Sequence, residues 1–327
     1  MRSFAFQRVE RIEDAVDAIG PDAKFLAGGT NLVDLMKGDV EQPLRVIDIN
    51  RLPLAAIAST PDGGVRIGAL LRNSDCANHA LIRNQYPLLA QALLSGASPQ
   101  LRNMASMGGN LLQRTRCYYF YDTAFAQCNK RNPGSGCAAR EGYNRIHAIL
   151  GASEHCVAVH PSDMAVALAA LDAVVEVRGP RGIRRINLAE FHRLPGGTPQ
   201  RDTNLEPDEL VVAIQIPPNG FAKHSYYLKV RDRASYAFAL VSVAAALDVE
   251  SGVVRDARIA LGGVAHKPWR ASEAERALVG ARLDTSAIER AAQACVNGAK
   301  PLQHNAFKVE LAKRSVARAL ESAGGLA

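Results

Sequence analysis

Two stretches of this chain repeat one pattern: an apolar run, a pair of glycines, a polar residue, then a second apolar run. The first is AKFLAGGTNLVDLMK, with Gly28 and Gly29; the second is SMGGNLLQ, with Gly108 and Gly109. Glycines let a backbone approach an anion closely, so the amides from Gly28 to Asn31 are expected to point into their turn. Thr30 or Asn31 would cap the helix after it, and Asn110 would do the same in the second stretch. Two such turns can hold two ends of one extended ligand. Neither has the spaced glycines of a Rossmann dinucleotide fold or the Gly-Lys-Ser/Thr of a P-loop. A plain tight turn is the competing reading for either pair taken alone.

The rest of the chain divides around these turns. Its 327 residues suggest two or three units. Residues 1–55 alternate strand and helix patterns, ending in the buried-strand run RVIDIN. The turn TPDGG opens a second unit, 56–220, which closes on ELVVAIQIPPNG. Residues 221–327 read as long strands, SYYLKV through VVRDARIALGGVA, followed by the helical runs ASEAERALVG and VELAKRSVARALESA. Alternation first and segregation later indicate an α/β region and then an α+β region. No apolar run approaches the ~20 residues of a membrane helix. The N-terminus, MRSFAFQRVERIEDAVDAIG, has no apolar signal core, so the cytoplasm is the default expectation.

Four of the six cysteines crowd together as Cys117, Cys128, Cys137 and Cys156, spaced C-x10-C-x8-C-x18-C. The close Cys pairs of zinc ribbons are absent, which disfavours structural zinc. Disulfides require export, and four separate buried thiols are the bland alternative. The surroundings favour an iron–sulfur site, which is anionic and tuned by hydrogen bonds to sulfur and by burial. Gly134, Ser135 and Gly136 would offer amides, and Arg114, Arg116, Lys130, Arg131, Arg140 and Arg145 would offer charge. Tyr118, Tyr119, Phe120 and Phe125 would exclude water. Cys76 and Cys295 read as ordinary core thiols.

AKFLAGGTNLVDLMK, ASMGGNLLQ, HPSDMAVALAALDA and YLKVRDRASYAFALVSVA, in this order, resemble the flavoprotein subunit of the molybdenum hydroxylase family. The likeness covers nearly the whole chain. It implies a mixed α/β and α+β fold: a two-part FAD-binding domain of the vanillyl-alcohol oxidase-like (PCMH) type, then a C-terminal domain with an antiparallel sheet and helices. It implies that Leu26, Ala27, Gly28, Gly29, Thr30, Asn31 and Leu32, with Ser106, Gly108, Gly109 and Asn110, clasp the FAD pyrophosphate. Asp163 would contact the adenosine part and Lys229 the flavin ring. On the residues alone, Tyr236 either borders the ring or is simply core, Asp163 reads equally as a helix cap and Lys229 as a surface lysine. The insertion at about 114–158 is similar to the one that carries a [4Fe–4S] cluster in periplasmic aldehyde oxidoreductases, with the four cysteines as ligands.

The implied role is electron transfer, with no acid–base residue acting on the organic substrate. A large subunit with a molybdenum cofactor would oxidise an aldehyde, a small [2Fe–2S] subunit would relay electrons, and FAD here would pass them to an external acceptor. The product would be a heterotrimer, and co-export on a partner's signal would place it in the periplasm. A beta subunit of a 4-hydroxybenzoyl-CoA reductase is the nearer alternative. The formal charge of +7 also permits a zinc-stabilised nucleic-acid-binding protein, although no basic run supports nucleic acid as a partner.

Overall fold

The computed structural model describes residues 1–326. Three short strands, β1 (Ala5–Arg8), β2 (Ala23–Leu26) and β3 (Arg45–Asp48), form a parallel sheet in the order β1-β3-β2. The helix Ile12–Ala18 joins β1 to β2. This sheet buries Ile47 and Ile49 against Ala15, Leu52 and Leu54.

A second sheet has the order β4-β5-β8-β6-β7, all antiparallel: β4 (Ile57–Ser59), β5 (Val65–Gly68), β6 (Val174–Gly179), β7 (Gly182–Asn187) and β8 (Leu210–Ile216). The long excursion between β5 and β6 carries most of the helices and the cysteines. The third sheet, in the last unit, is antiparallel with the order β12-β11-β10-β9: β9 (Ser225–Val230), β10 (Val241–Glu250), β11 (Val253–Gly262) and β12 (Trp269–Arg270). Helices Ser272–Leu278, Thr285–Ala294 and Phe307–Ala323 cover it and share its core. The mixed architecture expected from the sequence is therefore present.

The helix Asp163–Ala170 sits at the centre of the molecule. All eight of its residues are buried, and the seven after Asp163 are apolar, as burial on every side requires of a helix. It packs between the second and third sheets, close enough that a Cβ on Gly262 of β11 would stand 2.6 Å from Val166. Its N-terminus therefore emerges where the two sheets meet.

Local capping differs from expectation in three places. Asn31 stands at the N-cap of Leu32–Lys37, but its side chain makes no cap bond, because its amide oxygen accepts from Arg116 instead. The second helix starts earlier than expected: Ser106 caps Met107–Leu111, accepting from the Gly109 amide at 3.2 Å, and Asn110 lies inside that helix. Ser162, not Asp163, caps Asp163–Ala170, accepting from Ala165 at 2.9 Å. A hydroxyl at the N-cap competes well with a carboxylate one residue later, whose geometry is already helical. No helix among the described residues is long and apolar enough to cross a membrane.

Candidate functional site

A cleft of about 780 Å³ opens between the two glycine turns and the third sheet, a volume typical of small-molecule sites, which run roughly 300–1,000 Å³. Gly29, Thr30, Asn31, Gly109, Asn110, Asp163, Lys229 and Tyr236 line it. Leu26, Ala27, Gly28, Leu32, Ser106 and Gly108 stand behind its wall. Leu26 and Ala27 present carbonyls to Asn50 Nδ2, Leu32 opens the helix, and Ser106 and Gly108 are buried.

The first turn is an open cradle. Among the described residues, none of the amides from Gly28 to Leu32 donates to a backbone carbonyl. Gly29 holds φ +73, a left-handed conformation that other residues adopt at a cost. Successive unpaired amides in such a turn form a concavity suited to an anion.

The second turn differs, and here the expectation of two amide-rich turns is corrected. Met107 donates to Leu71 O, Gly108 to Ala69 O, Gly109 to Ser106 Oγ and Asn110 to Ser106 O, so this turn has spent its amides on the fold. Its glycines serve close packing: a Cβ on Gly108 would meet Ala69 at 3.0 Å. Asn110 is tied to Ser162 Oγ at 2.7 Å and to Gln113 at 2.6 Å, which anchors the second turn to the central helix.

Asp163 and Lys229 are expected to address opposite ends of a ligand, but the structure joins them. Lys229 Nζ, almost fully buried, donates to Asp163 Oδ2 at 2.7 Å and to Ser95 O at 3.1 Å. Tyr227, two residues earlier on β9, donates to Asp163 Oδ1 at 2.8 Å. The strand's two-residue period puts Tyr227 and Lys229 on one face, and that face meets the N-terminus of the central helix. The surface-lysine reading is thereby overturned. Burial and the neighbouring carboxylate push the Tyr227 phenol well above its ordinary value, so it stays protonated and keeps donating. Tyr236 is more than half exposed at φ +50, with the Arg233 guanidinium over its ring, so it is rim and not core.

The four cysteines converge. Cys117, Cys128, Cys137 and Cys156 line one small cavity with Thr115, Phe120 and Lys130, and all four are free thiols. Cys128 and Cys137 face each other across an isolated antiparallel bridge. His147 Nε2 lies 3.1 Å from Cys117 Sγ, and the Ala158 amide donates to Cys156 Sγ at 3.5 Å. Burial pushes the Cys117 thiol up to about 12 and the Cys156 thiol to about 11, with Lys130 opposing the second shift. Among the described residues, no three His, Cys, Asp or Glu side chains are arranged to hold a metal ion.

Much of the support expected around the sulfurs is committed elsewhere. Ser135 N donates to Asn132 O and Gly136 N to Asn129 Oδ1, so those amides close their own turn. Arg114 pairs with Glu41 and Asp202, Arg140 with Glu154 and Arg145 with Asp232, while Arg131 holds the Tyr119 and Phe120 carbonyls. Of the six cations, Lys130 alone lines the cavity. Its buried ammonium binds Pro199 O at 2.7 Å, the Asp202 carboxylate, and His266 Nε2 at 2.7 Å. Burial holds His266 at about 4 and His147 at about 4, so both rings are neutral near pH 7. Tyr119 and Phe120 are buried as expected, whereas Tyr118 and Phe125 are exposed and cannot shield the cavity.

Residues 2–219 match the family described as the FAD binding domain in molybdopterin dehydrogenase, and residues 226–323 match the CO dehydrogenase flavoprotein C-terminal domain. The chain is an FAD-binding subunit of the molybdenum hydroxylase family. It is 52% identical to an aldehyde oxidoreductase FAD-binding subunit of Escherichia coli, over 99% of both chains. It is 27% identical to the carbon monoxide dehydrogenase medium chain of Afipia carboxidovorans, over 88% of this chain and 84% of that one. The solved carbon monoxide dehydrogenase of Hydrogenophaga pseudoflava superposes with a TM-score of 0.78 at 27% identity, covering 99% of this chain and 98% of the other. These relatives are oxidoreductase subunits, and so is this one. The zinc-stabilised nucleic-acid-binding alternative is set aside with that assignment.

The flavoprotein subunit also lines its cleft with residues that no sequence motif marks. Arg102 holds the Leu94 and Gly96 carbonyls at one end, and Phe238 lies under Arg116 at the other. Asn73, 1% exposed, lines the cleft with neither amide atom partnered among the described residues. Arg116, expected only as charge beside sulfur, belongs to the cleft as well. Its place directly before Cys117 is the available signal, because neighbouring residues in non-helical chain point apart.

Proposed function

We propose that this flavoprotein subunit carries FAD in the large cleft and a [4Fe–4S] cluster on Cys117, Cys128, Cys137 and Cys156. It would serve as the electron-transfer subunit of a heterotrimeric molybdenum-dependent aldehyde oxidoreductase. The convergence of the four thiols on one cavity, in a chain 52% identical to an aldehyde oxidoreductase subunit, carries this reading. A single ion draws thiolates to about 2.3 Å of one point. Thiols spread around a cavity suit a larger anionic cluster better, and a buried ammonium at its wall offsets charge. Residues 1–55 and 56–220 would form the two parts of the FAD domain and 221–327 the C-terminal domain.

The open amides of Gly29, Thr30 and Asn31, which line the cleft, receive the diphosphate. Asp163, itself held by Tyr227, and the Ser95 carbonyl hold Lys229 in place, and its ammonium favours the anionic reduced form of the flavin. The ion pair thus acts at the flavin end, and Asp163 orients Lys229 instead of reading adenosine. When bound, FAD supplies the two-electron chemistry that hands electrons to an external acceptor. Aldehyde oxidation belongs to the molybdenum partner and the relay to the small [2Fe–2S] subunit, so the chain alone has no aldehyde-oxidising activity.

Iron, sulfide, zinc and flavin assayed on one anaerobic sample test this. The expected content is about one FAD, four iron and four sulfide per chain. Cys128→Ser is expected to lose the iron and the broad visible absorption while keeping FAD. A sample with zinc and no iron would sink the cluster assignment. Separately, Lys229→Met is expected to weaken FAD binding about tenfold or more, read by flavin fluorescence on titrating the deflavinated chain. Unchanged affinity would remove Lys229 from the site.

A further inference from the structure

Arg116, Cys117 and Tyr118 are consecutive, yet Arg116 and Tyr118 line the large cleft while Cys117 lines the cysteine cavity. One stretch of backbone therefore walls both sites. The Arg116 guanidinium has five N–H donors. Nη1 donates to Tyr121 OH at 2.5 Å and Asp34 Oδ2 at 3.3 Å, and Nη2 donates to Asn31 Oδ1 at 3.3 Å. One Nη2–H and the Nε–H remain, and Nε is buried with no partner among the described residues. The rings of Tyr121 and Phe238 flank the group at 5.3 and 4.9 Å. Its partner Asn31 belongs to the first glycine turn, whose amides are open. A cation with an unspent Nη2–H thus stands beside a cradle for an anion, and the planar guanidinium of arginine suits phosphate oxygens.

The nearby acids do not satisfy it. Asp34 is 55% exposed and reaches Arg116 only at 3.3 Å. The other carboxylates of the cleft are engaged elsewhere, Asp163 with Lys229 and Asp232 with Arg145.

Resting on the assignment of FAD and a cluster to this subunit, we propose that the cysteine-rich segment is part of the FAD site: Arg116 binds the diphosphate of FAD, and filling the cysteine pocket tightens FAD binding. Fixing Cys117 on a cluster fixes the backbone on either side of it. Arg116 and Tyr118 then meet the ligand preorganised, and the ordering cost falls outside the binding step. The coupling is reciprocal, so FAD also tightens the hold on the cluster.

The test titrates the deflavinated full chain with FAD and, separately, with ADP, which carries the same diphosphate without the flavin. Arg116→Met is expected to weaken both about tenfold or more, and Arg116→Lys, which keeps the charge but not the fork, to weaken them less. Cys137→Ser alters the least buried of the four cysteines; this iron-free variant is expected to bind FAD several-fold more weakly than the iron-loaded parent. In the unaltered chain, FAD is expected to slow iron loss to a chelator. That measurement stands even if Arg116→Met fails to fold. FAD and ADP affinities untouched by both Arg116 variants would overturn the contact. Equal FAD affinity with and without iron, together with chelation that ignores FAD, would overturn the coupling. A parent chain that bound no FAD or held no iron would instead defeat the reading on which the inference rests.

Discussion

Gly28→Ala is expected to strip the subunit of FAD and to cost about 3 kcal/mol of stability, at the upper end of overpacking effects. A Cβ on Gly28 would stand 1.8 Å from Met104 O and 2.6 Å from Met104 C. The obstacle is backbone, so no side chain can rotate away. Met104 O is moreover fixed by Arg72 Nη1 at 2.5 Å, and the next residue, Ala105, closes its helix onto Leu101 O at 2.7 Å. The relief available is to part the two glycine turns, which opens the wall of the cleft. Gly197→Ala is the control, since a Cβ there meets nothing within 4 Å and its φ is not left-handed. Denaturant midpoints and bound FAD per chain measure the outcome. A Gly28→Ala chain that kept stoichiometric FAD and the control's midpoint would show that the turns do not depend on this approach.

The second large effect is expected at Asp202, which stands far from the cysteines in sequence but pairs with Lys130, whose side chain lines their cavity. Burial pushes its carboxyl up, but the Lys130 ammonium and the Arg114 guanidinium outweigh that and hold it well below the usual carboxylate range. Arg114 Nε lies 2.6 Å from Oδ2, and Lys130 is 1% exposed. Asp202→Asn leaves the Lys130 charge buried with no counter-ion, a change that costs about 3–5 kcal/mol in buried pairs. Since Asp202 keeps some solvent access, the lower end is expected.

The sign with pH comes from the depressed value. The unfolded chain binds the proton more tightly, so the stabilisation is complete above the ordinary carboxylate range and is lost as the pH falls toward the folded value. The gap between Asp202→Asn and its parent is therefore expected to be full at pH 7 and to shrink between about pH 5 and pH 2. Urea midpoints across that range measure it. A gap that did not change with pH would mean that the carboxylate charge contributes nothing. Iron content is expected to fall with stability, because Lys130 lines the cysteine cavity.

Periodicity made the strands of the first and last units, the closing strand of the second unit and the final helices legible, because buried strands and amphipathic helices leave their repeat in the order of residues; β6 and β7 of the second sheet were not read. The glycine pairs were legible as turns and the cysteines as one group, since spacing and company are local properties. The chemistry of each turn was not. SMGGNLLQ and AGGTNL look alike as text, but Met107 and Gly108 donate to the segment after β5 and Ser106 takes the Gly109 amide, whereas the amides of Gly28 to Leu32 stay open. Which amides remain free depends on what packs beside them.

The sequence by itself determined the family, the order of the elements and the four thiols that belong together, since each is written in runs of adjacent residues. Only the tertiary structure decided that Lys229 is buried on Asp163, that Lys130 alone of six cations lines the cysteine cavity, and that Arg116 and Cys117 face different sites. Those facts join segments far apart in sequence: Asp163 and Lys229 are 66 residues apart, Lys130 and Asp202 are 72 apart, and Asn31 and Arg116 are 85 apart. Charge pairing at such separations is set by strand register and by how the central helix seats between two sheets, which no local pattern records.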